Sequence, residues 1–104
     1  MKIYGGKRRI SDDYIEVKFT EYNEQGEVMR EGIEDFSPIR LSKVPVYDIW
    51  TWDGETRNKG GHRWFNLAQR VRTTGTPAEL KRAYISARER IGLPIPAAIS
   101  IRRI

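Results

Sequence analysis

The stretch YIEVKFTEY, residues 14–22, decides the architecture. Ile15, Val17 and Phe19 fall on one side of an extended chain and Glu16, Lys18 and Thr20 on the other, the period of two that marks a half-buried strand. Asn23-Glu24-Gln25-Gly26 follows, with glycine where a tight turn needs a positive φ, and Glu27–Ile33 returns as the antiparallel partner. Upstream, Lys2–Ile10 reads as a further strand interrupted by Gly5-Gly6. That pair, followed by Lys7-Arg8, lacks the spacing and the Ser or Thr of a phosphate-cradling loop, so it predicts a bulge or bend.

Downstream, Ser37-Pro38 and Val44-Pro45 bracket a segment with room for one short turn of helix. Val46–Trp52 alternates again, with Val46, Trp50 and Trp52 on one face and Tyr47, Ile49 and Thr51 on the other. Asp53-Gly54 opens a polar loop that runs to Gly60-Gly61. In Arg63–Thr73, Trp64, Leu67, Ala68 and Val71 form a gapless helical stripe, although Phe65, Leu67 and Val71 also suit a strand; the favourable propensity of Leu-Ala-Gln-Arg favours helix. Thr76-Pro77-Ala78-Glu79 is a capping box with proline at the first helical position. Leu80, Ala83, Tyr84, Ala87 and Ile91 continue it as one stripe, and Gly92 stops it. Leu93–Pro96 is extended and Ala97–Arg103 reads as a closing strand. With no repeat, low-complexity run or linker, residues 1–104 form one small α+β domain: an antiparallel sheet with one or two helices packed on one face.

Charge is polarised along the chain. Residues 12–35 carry nine acids against Lys18 and Arg30, whereas residues 55–104 carry eleven Lys or Arg against Glu55, Glu79 and Glu89. The net +5 therefore divides into −3 for residues 1–54 and +8 for the rest. So one-sided a field suits an anionic partner, or a protein with the opposite pattern. The acids of 12–35 occupy alternate strand positions without calcium-loop spacing, which predicts a solvated sheet face. The absence of cysteine excludes disulfides, thiolate chemistry and Cys-based zinc sites, and fits a reducing compartment. No apolar leader follows Met1 and no run reaches membrane-spanning length, so a soluble, cytoplasmic protein without cofactors is expected.

The segment Trp50–Phe65 is the densest in binding chemistry. It interleaves tryptophans with Arg57, Lys59, His62 and Arg63 around a glycine pair. Indole faces stack on bases and long cations neutralise phosphates, a combination suited to single-stranded or looped nucleic acid. Trp52 and Trp64 are the stacking candidates. If Arg63–Thr73 is helical, Arg63 and Arg70 share an edge with Arg72 on the flank, and Lys81 and Arg88 form a second ridge on the last helix. His62, the single histidine, lies across the loop from Asp53 and Glu55, a weak basis for proton transfer in phosphodiester chemistry. No helix-turn-helix, zinc-finger or RNP signature supports sequence-specific recognition. The expectation is a non-enzymatic nucleic-acid-binding module, DNA or RNA undetermined, with homo-oligomerisation open. Its rival is a protein-interaction or inhibitor module, of the kind small mobile-element or phage accessory proteins supply, acting on a nucleic-acid-handling protein. The acidic hairpin favours that rival, because an acidic face repels a polyanion.

Overall fold

In the computed structural model, which describes all residues 1–104, ten elements follow one another. They are β1 (Lys2–Arg9), β2 (Ile15–Tyr22), β3 (Val28–Phe36), α1 (Pro38–Ser42), β4 (Val46–Trp52), β5 (Arg57–Asn58), β6 (Gly61–His62), β7 (Phe65–Thr73), α2 (Pro77–Arg90) and β8 (Ala98–Arg103). Six strands make one sheet in the order β3-β2-β1-β7-β4-β8, and every neighbouring pair is antiparallel. β5 and β6 form a separate two-stranded ribbon. The α+β character expected from the alternation of strand and helix patterns is present.

The β2–β3 hairpin closes as its sequence predicts. Gly26 takes φ 75°, and Asn23 Oδ1 accepts from the backbone N–H of Gln25 and Glu27 at 3.0 and 2.9 Å. Gly5-Gly6 is the expected bulge: register against β2 shifts between Gly5 and Lys7, with Gly6 at φ 67°. On one face of the sheet Tyr4, Val17, Phe19 and Phe36 gather around Leu41 of α1. Tyr4 meets Phe36 edge-on at 5.2 Å between centroids, an arrangement the ring quadrupoles favour.

Adjacent strand residues point to opposite faces. Tyr4 belongs to the cluster around α1, while its neighbour Ile3 lines an apolar groove of about 310 Å³ beneath α2, together with Leu67, Val71, Leu80 and Tyr84. The two helices therefore lie on opposite sides of the sheet rather than sharing one. α2 begins at the predicted capping box: Thr76 Oγ1 accepts from Glu79 N–H, and the Glu79 carboxylate accepts from Thr76 N–H, each at 3.2 Å. At the far end Gly92 adopts φ 72°, but Ile91 is 68 % exposed and takes no part in the buried stripe.

Residues 63–73 are not helical. β7 lies between β1 and β4, in the middle of the sheet. Val46 faces Arg72 and Thr51 faces Phe65, so six residues of β4 oppose eight of β7 across two register shifts. Each bulge inserts one residue and resets the alternation. Leu67, Ala68 and Val71 therefore all line the groove under α2 although their spacing is not even. Two bulges gave a strand the apolar spacing of a helix. Arg70, at φ 52°, occupies one bulge, and its backbone N–H is held at 2.9 Å by Asp48 Oδ1.

Candidate functional site

β4 carries Tyr47 and Ile49 into the side covered by α2, where both are buried. Trp50 and Trp52 alternate with them and so project from the opposite face. On the neighbouring strand β8, Arg102 is paired with Asp48 and Ser100 with Trp50, which puts Arg102 on the same side as the tryptophans. Its guanidinium lies 5.2 Å from the Trp50 ring and 5.7 Å from that of Trp64. α2 lies on the other face, and α1 packs through Leu41 near β1, β2 and β3, so neither helix covers this end of the sheet.

The Asp53–Gly61 loop continues the same surface as an ordered arm. Asp53 Oδ1 accepts from the N–H groups of Glu55 and Thr56, both at 2.8 Å, and the Thr56 hydroxyl donates to the other carboxylate oxygen. Those bonds, led by the Thr56 hydroxyl, hold the Asp53 carboxyl down to a pKa of about 2. The Trp52 indole N–H donates to Thr56 C=O at 2.8 Å, which folds the arm back over β4. Arg57 then pairs with His62 across the ribbon. His62 stacks on Trp52 with centroids 3.6 Å apart and planes 1° apart, and Arg57 lies 5.2 Å from the Trp52 ring.

Three half-buried indoles thus share one sheet face with Arg102, Arg57 and His62. Further along that face, Lys7, Arg70 and Arg72 line a cavity of about 300 Å³ beside the Gly5-Gly6 bulge. Such a surface can stack a flat aromatic group on indole while a neighbouring guanidinium meets an anion. The cations around it form no ion pair, although Asp48 lies cross-strand from Arg102. All four ion pairs of the molecule, Lys2–Glu34, Arg8–Glu16, Arg9–Asp12 and Arg30–Glu21, lie within residues 2–34. No Lys or Arg beyond residue 55 pairs with a carboxylate.

The structure brings together only part of the expected set. Arg57, His62, Trp52 and Trp64 join Arg102 as described, and Lys59 is exposed on the arm. Arg63 turns to the α2 side instead, its guanidinium 5.3 Å from the Phe65 ring. Arg70 and Arg72 sit on a bulged strand, not on a helix edge with Arg63. Arg72 is also structural, since its guanidinium donates to Leu41 C=O at 3.0 Å and tethers α1. Lys81 and Arg88 ride on α2, across the sheet from the tryptophans. Arg88 is further spent on Pro94 C=O at 2.8 Å. The suggested His62–carboxylate pairing does not form: Asp53 is committed to its own turn, and His62 makes no ion pair. Trp50, Arg102 and Lys7 were missed as site residues. Their signal lay in the period of two, which puts Trp50 on the Trp52 side of β4 and Arg102 on the side of β8 away from Ile99 and Ile101.

Comparison with protein-family models, curated proteins and solved structures found no match to this chain. No helix is long and apolar enough to cross a membrane.

Proposed function

We propose that this protein is a small, non-enzymatic nucleic-acid-binding module that holds single-stranded segments on the β4–β8 end of its sheet. The observation that carries this reading is the placement of Trp50, Trp52 and Trp64 together at an end of the sheet that neither helix covers, each with a guanidinium within 6 Å of its indole ring. A duplex hides its base faces, so a stacking platform selects unpaired bases. Arg57, Lys59 and Arg102 meet the phosphates around that platform, and Lys7, Arg70 and Arg72 extend the track along the sheet. Because the eleven cations beyond residue 55 have no acidic partners, their field is available to a polyanion and steers its approach.

The test is a titration of tryptophan fluorescence with unstructured single strands of DNA and RNA and with a duplex of equal length, at two salt concentrations. Quenching by single strands, weakened by salt and smaller with duplex, is expected. Absence of binding at physiological salt, with biological activity abolished by reversing Glu16, Glu24 and Glu27 to Lys, would leave the protein-interaction or inhibitor reading in its place.

A further inference from the structure

The charge polarity of the sequence becomes a polarity across the sheet. β3 and β8 are the two edge strands, and neither has a partner on its outer side. Residues 28–36 of β3 hold Glu31, Glu34 and Asp35 against Arg30, while residues 98–103 of β8 hold Arg102 and Arg103 and no acid. An unpaired strand edge is a template for a further strand, and proteins usually protect it. β3 is poorly protected. Beside its charges it exposes Met29 and Ile33, at 62 % and 57 %, and Ile33 points to the same face as Glu31 and Asp35.

We infer that the β8 edge of one copy pairs with the β3 edge of the next, joining chains head to tail into one extended antiparallel sheet. Strand parity permits it. The sheet has six strands, all antiparallel to their neighbours, so β8 runs opposite to β3, and a translated copy continues the alternation without turning over. Charge selects it. With one arginine against three acids on β3 and two arginines and no acid on β8, either two-fold pairing brings together strands of like net charge, whereas β8 with β3 brings together unlike ones. On the face shared by Ile99, Ile101 and Arg103, a register with Ile101 opposite Ile33 puts Arg103 opposite Glu31; on the other face Arg102 comes opposite Gly32, over which the Phe19 ring lies. The contact is heterologous, and with strand twist it propagates as an open ribbon rather than closing into a pair.

The absence of native cysteine makes the register directly readable. In nuclease-treated protein, which separates this test from nucleic-acid binding, the weight-average mass of the wild type should at least double with rising concentration at low salt. It should return to one chain at high salt. A mixture of Ile33→Cys and Ile101→Cys proteins should form a disulfide-linked dimer that neither forms alone. Arg103→Glu should prevent association, and Arg103→Glu with Glu31→Arg should restore it. A wild type that stays a single chain at every concentration in low salt overturns the inference without need of any variant. Cross-linking of Ile33→Cys protein to itself as efficiently as to its partner overturns it equally, because that is the two-fold arrangement.

Discussion

The rings of Trp52 and His62 lie parallel, 3.6 Å apart, at the junction of β4 with the β5–β6 ribbon. The contact joins a core strand to an arm that is otherwise held by the Asp53 turn and by the Trp52–Thr56 hydrogen bond. His62 therefore orders the arm and leaves the sheet alone. His62→Ala should preserve the main unfolding transition, alter Trp52 emission and raise backbone exchange at residues 55–62. An unchanged emission spectrum would mean that the stack does not form in solution.

Gly32 owes its place to Phe19, across the β2–β3 ladder. A Cβ at Gly32 would come within 2.9 Å of two Phe19 ring atoms, and that ring is buried against Tyr4. Gly32→Ala must displace an aromatic anchor of the cluster around α1, an overpacking that costs about 1–3 kcal/mol. Chemical denaturation reads it, and a midpoint equal to that of the wild type would show that Phe19 moves freely.

Tyr4 makes the cluster sensitive to alkali. Burial first, then the charge of Glu34 and a hydrogen bond to it, push the Tyr4 phenol from 10 up to about 12. The folded pKa lies above the unfolded one, so this contribution is fully present below pH 10 and is lost as pH rises through 12. The melting temperature should fall across that window, and Tyr4→Phe should flatten the fall while losing the 3.1 Å bond to Glu34. Parallel slopes for the two proteins would place the alkaline sensitivity elsewhere.

Thr76 tests the one helix that the sequence specifies on its own. Its hydroxyl accepts from Glu79 N–H at the head of α2, and Thr76→Ala should cost about 1 kcal/mol. A second substitution, Glu79→Ala, should add a further loss, because the backbone N–H at position 76 still donates to the Glu79 carboxylate when the hydroxyl is gone. A double variant no less stable than Thr76→Ala alone would show that this second bond contributes nothing.

Where local pattern and tertiary place agreed, the fold was legible. Ile15, Val17 and Phe19 alternate because β2 has one buried side, and Gly26 is fixed by its turn and by α2, whose Ala83 backbone lies 3.1 Å from where a Cβ would stand. β7 was misread because its two bulges are set by pairing with β4, a partner remote in sequence, and bulges turn a period of two into apparent helical spacing. The site suffered from the same error. Assigning Arg70 to a helix grouped it with Arg63, while Arg102, the true neighbour of the tryptophans, came from β8, a strand remote in sequence. The placement of α1 and α2 on opposite faces depended on Ile3 and Tyr4 being sorted by sheet neighbours, which no local window contains.

The charge map yields the last and most discriminating prediction. Reversal of Arg57, Arg70 and Arg102 to Glu removes cations from the tryptophan face and should abolish retention of single strands. Lys81→Glu, on α2 across the sheet, should change affinity far less, whereas a binding surface spread over the whole basic half would treat Lys81 like the others. With roughly three or four phosphates engaged, the wild-type log–log salt slope should lie near −3, from about −0.7 to −0.9 per contact. Each single reversal on the tryptophan face should make that slope shallower by about one contact. Trp64→Ala should instead lower affinity by about 1–3 kcal/mol with the slope unchanged, because stacking releases no counterions. A mutant series in which Trp64→Ala alters the slope, or Lys81→Glu weakens binding as much as Arg102→Glu, would move the interface off this face of the sheet.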